Sequence, residues 1–353
     1  MTIGTRDDDA AVTTAEGRQP GGPPPGLLDR LPGRDRLPSG DRLTELLVRN
    51  SMVVVLLLVV AYFTWANARF ATLGNLTTIL IAAAPFALVA LGQTLVILTG
   101  GIDLSVGSVI AASAMTAAWM SVRMPDQLPL AFAAGIGVGV VCGLVNGLVV
   151  SRLNVPPFVA TLGMLTAASG FAYVIGGGAP INGLPREYGV IANTRVLGFP
   201  LPVYVMILGF VVLAFVMART SFGLRVYAVG GNRTAAEVAG VDARRTLTSV
   251  YVISGMLAGM SGVILSSRVI SGPPNLGAGY ELDAIAAVVI GGASLMGGRG
   301  TVWGTLLGLL LIQTLNNGLD ILTVPSYWQS VIKGGLIVAA VAVDMWAVRR
   351  RAG

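Results

Sequence analysis

Long apolar runs separated by short polar breaks dominate the chain. Runs near 51–65, 76–98, 105–120, 128–150, 156–175, 202–218, 247–267, 281–297, 301–319 and 326–346 each approach the roughly 20 predominantly apolar residues that carry a helix across a bilayer. The pattern predicts an all-α polytopic membrane protein of about ten transmembrane helices. Its transmembrane domain occupies 46–350. Residues 1–45 are rich in proline, glycine and mixed charge and lack apolar periodicity, so the segment reads as a disordered tail. Within it, Asp7-Asp8-Asp9 reads as solvated charge rather than a metal cluster. Ala66-Asn67-Ala68 superficially matches a signal-peptide cleavage site. The run before it begins too late for an ordinary signal, so an uncleaved first span is expected.

Composition agrees with the pattern: 54% of the residues are apolar, 11% are charged, and the mean hydropathy is +0.78. Arginine placement supplies the orientation, because cytoplasmic loops carry the positive excess. With the N-terminus inside, 17 of the 22 arginines fall on the cytosolic side, and only Arg69, Arg123, Arg186, Arg195 and Arg268 fall outside. An even number of spans returns Arg349-Arg350-Arg351 to the cytosol, so both termini are expected there. Trp65, Trp119, Trp303, Trp328 and Trp346 sit at predicted span ends, where an indole prefers the headgroup level. Gly135, Gly139, Gly143 and Gly147 recur every fourth residue, as do Gly300, Gly304 and Gly308 and the pair Gly255 and Gly259. Such stripes allow close helix packing. Two segments, 100–107 and 291–298, share the pattern G-G-x-[DS]-L-x-x-G. The Asn-Gly-Leu triplets at 146 and 317 echo each other at a different offset, which weakens the case for a duplication.

Several chemistries are excluded. Without histidine, His-based catalysis, ligation and proton relay are absent. The single cysteine, Cys142, makes no disulfide framework or thiolate site and reads as a small packing residue. Basic stripes with interleaved aromatics are lacking, so nucleic acid is not an expected partner. Paired acidic motifs, which an integral-membrane transferase would use to hold a metal and a diphosphate, do not occur outside the tail. A P-loop needs G-x-x-x-x-G-K-[ST], and the only lysine, Lys333, is followed by Gly334, so the chain does not itself bind ATP through that motif.

The longest cytosolic connection, 219–246, holds Thr234 and Glu237 in capping-box spacing, Ala235, Ala236, Val238 and Ala239 in a helix-favouring run, and Gly240 at a C-terminal cap position. A short bounded helix follows. It suits the docking of a soluble partner, and equally a turn that links two spans. Polar residues inside spans are candidates for lining a solute path, because facing lipid is costly. They are Gln93, Asn146, Thr161, Gln313, Asn316 and Asn317, with Asp103 and Ser105 at the glycine-rich turn after the second span. Each also suits a cap or an interhelical hydrogen bond. Glu281 and Asp283 fall near an outer span end and Asp344 near an inner one.

The run Leu91-Gly92-Gln93-Thr94-Leu95-Val96-Ile97-Leu98-Thr99-Gly100-Gly101-Ile102-Asp103-Leu104-Ser105-Val106-Gly107-Ser108 resembles the signature segment of ribose/xylose/arabinose/galactoside-type ABC permeases. Gly230-Gly231-Asn232 with Ala235 to Val241, and Glu281 to Gly292, resemble the same family in the same order. The resemblance runs from about 70 to 345. It implies an inner-membrane permease subunit that forms a homodimer, a cytosolic ATPase with two nucleotide-binding domains, and an extracytoplasmic solute-binding protein. ATP and Mg would then belong to the partner, with no cofactor or metal in this chain. By the same resemblance, Thr234 to Gly240 would be the coupling helix that meets the ATPase. The implied solute is a monosaccharide. A nucleoside, polyol, autoinducer furanose or branched-chain amino acid stays open, as does an ion-coupled secondary transporter. That last rival wants an acid deep in a span, and the acids here are expected near span ends.

Overall fold

A computed structural model describes residues 51–352, so the tail read at 1–45 lies outside the described residues. The described chain is helical, with α1 at Ser51–Ala66, α2 at Leu73–Leu98, α3 at Val106–Arg123, α4 at Leu128–Arg152 and α5 at Pro157–Ile175. A short helix α6 (Val190–Asn193) and a two-residue hairpin of β1 (Arg195–Val196) and β2 (Phe199–Pro200) lead into α7, Leu201–Arg219. Then come α8 (Ser221–Gly231), α9 (Arg233–Val238), α10 (Ala243–Val269), α11 (Tyr280–Ile290), α12 (Val302–Ile321) and α13 (Ser326–Ala352). Among the described residues, 5 helices are long and apolar enough to cross a membrane: α2, α4, α5, α7 and α10. Most predicted runs match a helix to within a few residues.

The centre is built by α2 and α10, and by the inward faces of α3 and α4. From Ala83 to Leu98 the whole of α2 is buried, which explains why its apolar run has no polar face. The predicted glycine stripe of α4 meets that of α10. A Cβ at Gly139 would come within 2.9 Å of Gly259 Cα, and one at Gly147 within 2.9 Å of Thr248 Cα. The two backbones therefore lie closer than side chains would allow. Gly304 and Gly308 play the same part between α12 and α11. Gly300 does not, because it precedes the helix and has φ of +143°. Cys142 packs against the main apolar cluster, as a small filler should.

One predicted span is corrected. The eighth run, 281–297, is helical only to Ile290, within the 11-residue α11. At 1.5 Å per residue this helix is about 16 Å long, half of a roughly 30 Å hydrocarbon layer. The reason lies in Gly292, Gly297 and Gly298, all at φ between +72° and +90°, where the chain leaves the helical region. Residues 291–301 form a non-helical break, matched by a second break at 99–105 between α2 and α3.

The start of α11, within one residue of the predicted start, packs against that of α3. Gly107, near the start of α3, has no room for a Cβ because the Glu281 carboxylate and the Gly277 carbonyl (2.7 Å) occupy that space. Glu281 therefore sits between the starts of α3 and α11, in the first turn of α11. Asp283 accepts a 2.9 Å hydrogen bond from Lys333 Nζ on α13, and the pair is mostly withdrawn from solvent. The side chain of Asp344 lies outside the described residues.

Candidate functional site

Two places gather the sequence candidates. The first is the break at 99–105. Irregular backbone inside an apolar protein needs partners for its N–H and C=O groups; side chains from α2 and α5 bond this backbone, and side chains from α4 and α10 bond the loop's own polar side chains. The α2 helix ends in a Schellman motif: Gly100, at φ +77°, donates its N–H to Ile97 O (2.9 Å), and Gly101 donates to Val96 O (3.0 Å). Gln93 reaches the loop from α2, in the amide orientation that satisfies both groups. Its Nε2 donates to Asp103 O (3.2 Å) and its Oε1 accepts from Asp103 N (3.3 Å). From α5, Thr161 Oγ1 donates to Ile102 O (3.1 Å).

The Asp103 side chain closes the loop. Its Oδ1 accepts from Ser105 N (2.9 Å) and Ser105 Oγ (2.6 Å), and its Oδ2 accepts from Ser254 Oγ of α10 (3.2 Å). Asn146 Nδ2 of α4 donates to Ser105 Oγ (3.0 Å). Five of the eight path candidates, Gln93, Asp103, Ser105, Asn146 and Thr161, thus converge in one network, each at 2% exposure or less. Ser254 belongs to the network and was missed, because a lone serine in a glycine-rich helix gives no sequence signal. Asp103 lies, as expected, in the turn after α2, and it is buried there.

The other three candidates lie apart on α12. Asn317 and Asn75 of α2 exchange side-chain amide hydrogen bonds of 2.8 and 2.9 Å. This reciprocal pair ties α12 to α2. Asn316 is partly buried and its Oδ1 has no partner. Gln313 is 9% exposed.

The second place is the connection at 219–246. Instead of one short helix it holds two. Gly223, Val226 and Val229 turn the inner face of α8 into the protein at helical spacing. Asn232 then ends α8 and caps α9: its N–H bonds Ala228 O (3.1 Å), and its Oδ1 accepts from Ala235 N (2.9 Å). The predicted Thr234 capping box is therefore not formed. Asn232, in an extended conformation, takes the cap, Thr234 lies inside the helix, and Glu237 pairs with Arg233 Nε at 3.0 Å. At the other end the glycine prediction holds. Gly240, at φ +85°, donates to Glu237 O (3.0 Å) and Val241 donates to Ala236 O (2.9 Å), a second Schellman motif. Ala236 is buried against Val229, Ala243 and Leu247, whereas Val238 is 86% exposed. Tyr227 on α8 donates its phenol to Gly300 O (2.9 Å), and burial pushes that phenol's pKa up, so it stays a donor.

Helices of spanning length with broken helices beside them are the architecture of a polytopic membrane protein. Residues 75–341 match the family described as branched-chain amino acid transport system / permease component, and the chain belongs to that family. It is 44% identical over 280 residues to the ribose import permease protein RbsC of Bacillus subtilis (strain 168), covering 79% of this chain and 87% of that protein. Against RbsC of Escherichia coli (strain K12) it is 39% identical over 302 residues, 84% of this chain and 94% of the other. The D-allose transport system permease protein AlsC of the same organism is 36% identical over 291 residues, 82% and 89% of the two chains. No solved structure gives a significant match.

Proposed function

We propose that the chain is the membrane permease subunit of an ABC importer for a monosaccharide, and that ribose is the first solute to test. The family match and the relatives named for ribose and allose support the class. Both are small, hydroxyl-rich sugars. In this reading the protein crosses the bacterial inner membrane about ten times, α11 and the break at 291–301 together making one crossing, with both termini in the cytosol. Four tryptophans at helix ends, Trp65, Trp119, Trp303 and Trp328, are exposed, as headgroup-level anchors would be. Two copies form the path. A cytosolic ATPase with two nucleotide-binding domains supplies ATP and Mg, and an extracytoplasmic binding protein delivers the sugar.

One observation carries the docking of the ATPase: the exposed Val238 on a helix capped at both ends and anchored by Ala236. A six-residue helix holds shape only with such caps and anchors, which hold its exposed side chains in one fixed arrangement for a partner. The network around 99–105 acts on the path indirectly, by fixing where α3 begins. Gln313 and Asn316, whose amides are less fully engaged, are the better candidates for touching solute.

The double variant Glu237→Arg/Val238→Arg tests the reading. It is expected to insert and fold, to release the ATPase on purification, and to abolish ATP-driven uptake. Retained ATPase and retained uptake would remove α9 as the docking helix.

A further inference from the structure

We propose that a glycine-lined backbone junction between α8 and the two breaks carries the movement of the docking helix into the membrane-embedded protein, with Gly230, Gly298 and Tyr227 as its positioning residues. The proposal rests on the docking reading of α9.

Three stretches of backbone meet at this point without side chains between them. A Cβ at Gly230 would strike the Leu98 carbonyl oxygen and come within 2.8 Å of Gly298 N. At Gly297 it would meet Gly230 O at 2.7 Å and Gly100 N at 2.8 Å, and at Gly298 it would meet Gly231 Cα at 2.8 Å. Two hydrogen bonds pin the contact: Gly298 N donates to Leu98 O (2.9 Å), and the Tyr227 phenol donates to Gly300 O (2.9 Å).

The junction leaves little slack. Only Asn232 separates α8 from α9, and it is bonded into both, so the two helices move as one piece. Close-packed backbone passes on displacement that flexible side chains would absorb. Leu98 is the last residue of α2, and the break behind it fixes the start of α3 through Asp103. Gly298 and Gly300 lead into α12, and Gly291 and Gly292 close α11. A shift at Gly230 therefore reaches four helices at one point. The other contact of α9, through Ala236 to Ala243 and Leu247, reaches α10 alone.

The experiment uses the permease reconstituted in vesicles with its ATPase and binding protein, and reads retained ATPase, ATP hydrolysis and sugar uptake separately. Tyr227→Phe keeps the ring and removes the donor. It is expected to keep the ATPase and its hydrolysis while uptake per ATP falls about two- to ten-fold, the range one lost hydrogen bond gives. Gly230→Ala is expected to fall further in the same direction. Unchanged uptake per ATP in Tyr227→Phe overturns the junction, as does a proportional loss of hydrolysis and uptake. If Gly230→Ala fails to assemble, Tyr227→Phe decides alone. Val238→Arg separates the two levels: if it keeps the ATPase, the docking reading fails, whatever the Tyr227 result.

Discussion

The two breaks, 99–105 and 291–301, start from the same local chemistry and are held in opposite ways. Each follows a helix closed by a Schellman motif on a glycine, Gly100 in one and Gly292 in the other. In each, the shared Asp-or-Ser position accepts from the backbone two residues on: Asp103 from Ser105 N at 2.9 Å, and Ser294 from Met296 N at 3.3 Å. From there they diverge. The first break is bolted down by side chains from α2, α4, α5 and α10. The second is held mainly by backbone, with Ser294 N bonded to Arg299 O (3.0 Å), Gly298 N bonded to Leu98 O (2.9 Å) and glycine contact with α8, and by one side chain from outside it, the Tyr227 phenol on Gly300 O (2.9 Å). A loop locked by buried hydrogen bonds is a fixture, because each bond is costly to break in an apolar interior. A loop that rests on backbone contact can follow the surface it rests on. This difference makes 291–301 the less firmly bonded of the two breaks.

Substitutions can break or sharpen that contrast. The largest effect is expected for Gln93→Leu, which strands the Asp103 N–H and C=O in the interior. It should cost about 2–4 kcal/mol, read as a lowered midpoint in thermal unfolding of the detergent-solubilised protein. Lys333→Met should follow at about 1–3 kcal/mol, because it leaves Asp283 charged and without its cation. Adding Asp283→Leu should restore most of that loss, and a double variant as unstable as the single would show that the pair does not pin α11. Thr161→Val, which removes one bond to Ile102 O, should cost about 1 kcal/mol. The smallest change is expected at the second break, where Ser294→Ala should cost about 0.5 kcal/mol or less, since its bond to Met296 is long. Equal losses at Thr161 and Ser294 would contradict the contrast.

Much of this was legible in the sequence. Apolar runs located the long helices, and the four-residue glycine spacing located the α4–α10 contact. Gly240 announced its cap through its need for positive φ. The half-length of α11 was not legible, because the apolar composition of Glu281 to Gly297 suits a span, and its glycines act as breakers only where tertiary contacts hold the loop. The Thr234 box failed because Asn232 offered the better cap two residues earlier, a contest decided by backbone dihedrals. Of the solute-path candidates, five lie buried around the first break. Their partners, however, are loop backbone and one another, and pairings between distant helices leave no trace in a single sequence. The shared G-G-x-[DS]-L pattern marks two breaks that touch. Their capping glycines fall one position apart, which fits similar local chemistry better than an exact repeat.

The central claim is that import through this permease is driven by ATP hydrolysis in a partner docked on α9. Uptake of labelled ribose into vesicles holding the assembled importer, loaded with ATP and with proton and sodium gradients dissipated, tests it most directly. The account predicts that uptake continues with ATP inside and stops without it. Uptake that persists without ATP and collapses with the ion gradients would contradict it, and would return attention to Asp103, the acid buried inside the protein.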